Sequence, residues 1–204
     1  MTDVTQPSLF SAETMPPAVD DLGGLLAGHG QATAGPDGAR LSILLAERWR
    51  AEALADECAR RGVAAEAVAA EAAAEEPGAG ASALLRTERS AGLTALAAAW
   101  TRGAVKAVPP GLTAGAGLLR VWAIAAGRQS LAGYALGLDP HAPDTHQRLA
   151  AVCARAGLAG ALVGVTSDTP VIRLTGRKRL GRLLELVGGP PAGAPRDAWP
   201  VRDA

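Results

Sequence analysis

The sequence predicts an α+β domain built from one unit that occurs twice, and three observations predict it. "CARRGV" (Cys58–Val63) and "CARAGL" (Cys153–Leu158) each close a helical pattern. Two later stripes, Leu93–Leu96–Ala97–Trp100 and Leu180–Leu183–Leu184–Val187, share one spacing, and each follows a strand-like run. Hydrophobic residues make up 49% of the 204 residues and aromatics only 3%, so the core must be packed closely from Ala, Leu and Val. Self-similarity in the order of elements is the sequence signature of a repeated unit.

The elements follow in chain order. Residues 1–16 open with "MTDVTQPSLF", which has neither the basic nor the apolar region of a signal peptide, and they read as a flexible N-terminus. A first repeat runs over 17–107. It begins with "LGGLLAGHG" (Leu22–Gly30), preceded by "PAVDD", whose aspartates suit the positive end of a helix. A phosphate-binding loop would follow a strand and open a helix, whereas this run comes before the first strand. It therefore reads as a helix, with Gly24 and Gly28 four apart leaving a nearly bare face that another backbone can approach.

"ARLSILLAE" (Ala39–Glu47) reads as a strand, and Ala51, Leu54, Ala55 and Cys58 as the apolar stripe of a helix. "AAEAVAAEAAAEE" is ambiguous, because alanine and glutamate favour helix although the run also alternates. "ALLRTE" (Ala83–Glu88) is strand-like and leads into the Leu93 stripe. Residues 108–117, "VPPGLTAGAG", form a Pro/Gly linker.

The second repeat, 118–190, runs through the same series. "LRVWAIAAG" (Leu119–Gly127) leads it, followed by the strand "GYALGLD" (Gly133–Asp139) and the loop "LDPHAPDTHQ", where Asp144 or Thr145 is the expected helix cap. The stripe Leu149–Val152–Cys153–Ala156, the segment "AGALVGVTS", the strand "PVIRLT" (Pro170–Thr175) and the Leu180 stripe complete it. Each half thus reads as helix, strand pair, helix, strand pair, helix. Residues 191–204 read as a flexible tail.

Leu22–Gly30 and Leu119–Gly127 align without gaps as two nine-residue motifs. On these motifs and the repeat, the chain resembles the LAGLIDADG family. "LRVWAIAAGRQS", "GYALGLD" and "IRLTGRKRLGRLLELVG" are similar to the N-terminal region of the WhiA sporulation regulators. The resemblance covers about residues 17–190 and implies a duplicated αββαββα fold. Two packed helices stand at its centre, beneath a saddle-shaped pair of sheets that binds duplex DNA. Gly24, Gly28, His29, Ala125, Ala126 and Gly127 would then be motif-helix residues at the central contact.

Two departures limit what is carried over. Homing endonucleases of this family hold Mg²⁺ with an acid at the eighth motif position, and here those positions are His29 and Ala126. The resemblance therefore implies a degenerate, catalytically inactive member with no metal and no cofactor. The regulators also carry a helix-turn-helix region that nothing here resembles, which argues against promoter reading.

The remaining chemistry is sparse. His141 and His146, five apart with Asp139 and Asp144 nearby, fit a solvated loop better than a metal site. Cys58 and Cys153 lie on apolar stripes and read as core residues of a reduced, cytoplasmic protein. No run reaches the roughly 18 apolar residues of a membrane span. Lysine occurs only at 106 and 178, an arginine bias that suits a GC-rich, actinobacterial-type coding sequence.

Net charge is zero, yet residues 1–107 carry 9 basic and 14 acidic groups, and 108–204 carry 11 basic and 6 acidic. The basic second half suggests a polyanion. On strand alternation, Arg173 and Thr175 stand opposite Ile172 and Leu174, and Arg40 and Arg86 occupy similar positions in the first repeat. With Arg177, Lys178 and Arg179 they form the candidate DNA-binding set. A protein-interaction scaffold that has lost DNA binding is the alternative, favoured by the acidic first half.

Overall fold

A computed structural model describes residues 9–69, 83–130 and 133–201. A short 3₁₀ turn, Val19–Leu22, leads into α1 (Gly23–Ala27), and β1 (Gln31–Gly35) and β2 (Gly38–Leu45) form a hairpin. Next come α2 (Arg48–Arg60), β3 (Ala65–Ala69), β4 (Ala83–Thr87) and α3 (Thr94–Ala99), then a small hairpin of β5 (Thr101–Arg102) and β6 (Val105–Lys106). The second half repeats the series: α4 (Ala116–Ala126), β7 (Gly127–Ser130), β8 (Gly133–Gly137), α5 (His146–Arg155), β9 (Ala161–Val163), β10 (Val171–Leu174) and α6 (Arg177–Val187). The strand orders correspond, β1-β2-β4-β3 and β7-β8-β10-β9, all antiparallel. The duplicated α+β arrangement is as expected.

The ambiguous segment after the first cysteine helix is a strand over Ala65–Ala69, paired along β4; its continuation lies outside the described residues. Sheet pairing overrides helix propensity here because β4 offers a hydrogen-bonding edge.

α4 is apolar nearly all round and buried from Leu118 to Ala125, as a central helix must be. It packs along α1, and Gly24 makes the contact possible: a Cβ there would lie 2.4 Å from the Leu118 carbonyl oxygen and 2.6 Å from the Trp122 nitrogen. At Gly28 the approach is looser, 3.3 Å from the Ala126 Cβ. The buried Trp122 indole N–H donates to the Gly137 carbonyl at 2.8 Å, tying α4 to β8. Both cysteines are free and fully buried.

Burial in α4 extends to Arg120, whose guanidinium meets Glu57 of α2 at 2.7 Å. Glu57 also receives Arg61 at 2.6 Å, and Arg61 reaches Asp21 at 3.0 Å. Burial pushes the Glu57 carboxyl up, but hydrogen bonds and charge from Arg120 and Arg61 outweigh it and hold it below its ordinary value.

Within the two segments read as flexible, described residues are packed. Ser11 and Ala12 are buried, and the Ala12 N–H donates to the Leu186 carbonyl. Trp199 is only 3% exposed. Its indole N–H donates to the Gly188 carbonyl, its own carbonyl accepts from Gln129, and its ring lies under the Arg120 guanidinium. Pro- and Gly-rich composition concealed this, since one well-placed aromatic suffices to anchor a tail.

Candidate nucleic-acid interface

The two motif helices end side by side, and each last turn is met by a protein cation. Arg50 of α2 donates to the Ile124 carbonyl at 2.7 Å and the Gly127 carbonyl at 2.8 Å, closing the C-terminal end of α4. Lys106 of β6 donates to the Gly28 carbonyl at 2.9 Å, just past α1. Cations at these positions offset the negative ends of the helices.

Lys106 also pairs with Asp139 at 2.6 Å. Asp139 is 2% exposed and further accepts from Gln31 and from the His141 backbone N–H. Burial pushes the Asp139 carboxyl up, but the Lys106 hydrogen bond and charge, with those two donors, bring it below its ordinary value. Burial pulls the Lys106 ammonium below its ordinary value, and the hydrogen bond and charge of Asp139 offset this only in part. The geometry favours the charged pair, because two oxygens converge on Nζ.

His29 and Ala126 line a cavity of about 430 Å³ beside this pair, together with Gln31, Arg128, Asp139 and His141. The His29 Nε2–H donates to the Leu44 carbonyl at 2.7 Å. A divalent ion such as Mg²⁺ wants several oxygen ligands. Here one eighth motif position offers an imidazole engaged with a carbonyl and the other a methyl group, while the Asp139 oxygen is taken by an ammonium. The residues do not fit the ion that the fold family implies. Among the described residues no cluster of His, Cys, Asp and Glu suits a metal.

Gly127 begins β7, and a Cβ there would meet the Tyr134 hydroxyl at 2.1 Å and the Ala123 carbonyl at 2.5 Å. Only glycine lets the chain turn from helix directly into sheet at this point. Ala125 is buried in the seam. His146 is also buried, its Nε2 donating to the Asp139 carbonyl, and the Thr145 hydroxyl donates to the Ala142 carbonyl instead of capping α5. Thr145 adopts helical backbone angles, which turn its oxygen away from the free N–H groups.

The faces turned away from the helices are read from the registers. In the first sheet Arg40 stands opposite Thr33, while Ser42 pairs Gln31 on one side and Arg86 on the other, with Glu66 beyond. In the second, Arg128, Ala135, Arg173 and Ala161 form one row. Arg86 and Arg173 are equivalent, each seven residues ahead of its stripe leucine, Leu93 or Leu180.

Among the described residues, the guanidinium groups of Arg40, Arg86, Arg128 and Arg173 have no hydrogen-bond or ion-pair partner; Arg86 faces Glu66 across the strands without pairing. Arg50, Arg61 and Arg120, in contrast, spend their donors inside the protein. Glu47, Glu52, Asp56 and Glu57 sit on or beside α2, which packs on the core side of β3 and β4. These four acids of the first half therefore lie away from the open sheet face.

The second basic group is elsewhere. Arg177, Lys178 and Arg179 are exposed on the first turn of α6 and line a surface groove with Thr175, Gly157, Arg182 and Glu185. α6 packs on α4, on the core side. Arg179 donates to the Thr175 carbonyl, and Thr175 itself is half-buried. None of Arg128, Ala135 or Arg173 lines that groove.

Sequence reasoning missed Arg128, Lys106 and Gln31, and its solvated loop around Asp139 and His146 is corrected: both are buried, Asp139 by its pair with Lys106 and His146 against the Asp139 carbonyl. Arg128 was hidden because β7 follows α4 without a loop. Lys106 left a faint signal as one of two lysines in an arginine-dominated chain.

No protein-family model matches the chain, and comparison with curated proteins finds no match. Among solved structures, the homing endonuclease I-WcaI bound to its DNA recognition sequence is similar, with a TM-score of 0.58 at 11% identity over 87% of this chain and 84% of that one. The chain has a LAGLIDADG-like α+β fold. No helix among the described residues is long and apolar enough to cross a membrane.

Proposed function

We propose that the chain is a catalytically inactive protein of LAGLIDADG-like fold that binds duplex DNA weakly, in a regulatory role in the cytoplasm. One observation carries the reading: Arg40, Arg86, Arg128 and Arg173 project from sheet faces turned away from the core and have no partner among the described residues. Unpaired guanidinium groups on such a face neutralise phosphates. The fold is one that I-WcaI uses on DNA, and the similarity of the second motif region to WhiA regulators supports regulation over cleavage. Inactivity rests on the engaged His29, the methyl group of Ala126 and the Lys106–Asp139 pair at the helix ends.

Fluorescence anisotropy across a salt series tests the binding. Affinity on the order of micromolar at physiological salt is expected, and each neutralised phosphate contributes about −0.9 to the log–log salt slope. Arg128→Ala with Arg173→Ala should reduce that slope by about 2. Failure to bind any duplex at tens of micromolar, roughly the non-specific range, would overturn the reading in favour of a protein-interaction scaffold. Plasmid nicking in Mg²⁺ or Mn²⁺ that one acidic substitution abolishes would overturn the inactivity.

A further inference from the structure

We propose that the groove at the start of α6 binds a linear phosphate chain, either inorganic polyphosphate or the triphosphate of a nucleotide. This site is additional to the duplex-DNA binding proposed above and does not depend on it.

The groove measures about 1130 Å³. Arg177, Lys178, Arg179 and Arg182 line it against one acid, Glu185. Glu185 meets Arg182 at 3.8 Å, and Arg179 donates to the Thr175 carbonyl. Arg177 and Lys178 are exposed, and their side chains have no hydrogen-bond or ion-pair partner among the described residues.

Folding alone does not account for these charges. A helix start is the positive end of its dipole, so cations gathered there are repelled by it and by one another. The first repeat forms its corresponding turn without them. The places that Arg177, Lys178, Arg179 and Arg182 hold around Leu180 are taken around Leu93 by Ser90, Ala91, Gly92 and Ala95. There the Ser90 side chain caps the turn, whereas α6 has no side-chain cap. A bound anion offsets the repulsion that the second copy alone carries.

Gly181 points the same way. It stands inside α6, where glycine weakens a helix relative to alanine. Gly157 and Gly176 have φ of 81° and 87°, which call for glycine, but Gly181 does not. A Cβ there would meet nothing within 4 Å, so no packing inside the chain requires its absence. The bare position leaves the groove open beside the cations.

The lining also selects the chemistry. No apolar or aromatic side chain lines the groove, so a peptide or a nucleobase finds no anchor there. The groove offers charge, mostly as guanidinium groups, which match phosphate oxygens in pairs. A chain of phosphates presents several anionic groups in a row to several cations. A duplex lying across both sheets would call on both repeats, and these cations occur in one.

Isothermal titration of the full chain with sodium tripolyphosphate at low salt tests the site, with ATP and orthophosphate alongside. One tripolyphosphate should bind per chain, and orthophosphate at least about ten-fold more weakly, since it reaches fewer cations. ATP binding more tightly than tripolyphosphate assigns the nucleotide as the source, and equal or weaker binding assigns the inorganic chain. Arg177→Ala with Lys178→Ala should weaken tripolyphosphate binding at least about ten-fold. Gly181→Leu keeps every charge and fills open space, and should weaken binding as much without lowering Tm. Arg128→Ala with Arg173→Ala should leave it unchanged. No binding at millimolar ligand, or binding that either α6 variant leaves untouched, would overturn the inference. Displacement of tripolyphosphate by a duplex whose own binding needs Arg177 and Lys178 would overturn it too, and give the groove to DNA. The salt slope of the sheet arginines stands whichever way this falls.

Discussion

Replacing Gly24 by alanine sets two physical effects against each other. In an ordinary helix the change stabilises by about 1 kcal/mol, because glycine carries the larger backbone entropy cost. At this seam the new methyl would stand 2.4 Å from the Leu118 carbonyl oxygen, 2.6 Å from the Trp122 nitrogen and 2.9 Å from the Val121 Cβ. Two of these are backbone atoms of a fully buried helix, so no side chain can swing aside. Overpacking of this kind costs about 3 kcal/mol, the upper end of the usual range. The net is a loss of about 2 kcal/mol, which for a chain of this size lowers Tm by about 4–8 °C.

Gly28→Ala is the internal control. Its methyl would stop 3.3 Å from the Ala126 Cβ and 3.5 Å from the Leu25 carbonyl, so a change within about 1 kcal/mol is expected. Thermal melts of both variants followed by circular dichroism decide the matter. A Gly24→Ala protein as stable as the parent, or one no worse than Gly28→Ala, would refute the close helix contact.

Two further outcomes follow from the buried groups. Glu57→Gln leaves Arg120 buried without its counter-charge and Arg61 with Asp21 alone, and should cost about 3 kcal/mol in denaturant unfolding. Because the folded state holds the Glu57 carboxyl below its ordinary 4.5, its stabilisation is present above that pH and lost as pH falls through the lower folded value; the variant should show a flatter acid limb, and an unchanged limb would count against the network. Burial pushes the thiols of Cys58 and Cys153 up to about 12, so native protein at pH 8 should resist iodoacetamide while unfolded protein takes up two equivalents, as mass spectrometry would show.

Alternation and period made most of the fold legible. The stripes at Cys58, Cys153, Leu93 and Leu180 point inward because helical spacing puts their apolar residues on one side, and all four of these residues are fully buried. Arg40, Arg86 and Arg173 could be placed opposite the core for the same reason, since a strand alternates its faces. The Trp199 anchor was not legible: an aromatic in a proline-rich tail has no periodicity to announce what it packs on.

The sequence by itself determined the duplicated order of elements, the small faces of the two central helices and the loss of acids at their eighth positions. These are local properties, decided by residue type and spacing. Tertiary structure alone decided that Lys106, Gln31 and Asp139, which lie up to 108 residues apart, converge at the helix ends. It also placed Arg177, Lys178 and Arg179 on the first turn of α6, along a groove that the strand arginines do not line, and brought Leu44, Leu84 and Val68 into one row. Hydrogen-bond register between distant strands sets those neighbours, and register is fixed by the packing of the whole sheet on its core, which no short window of sequence contains.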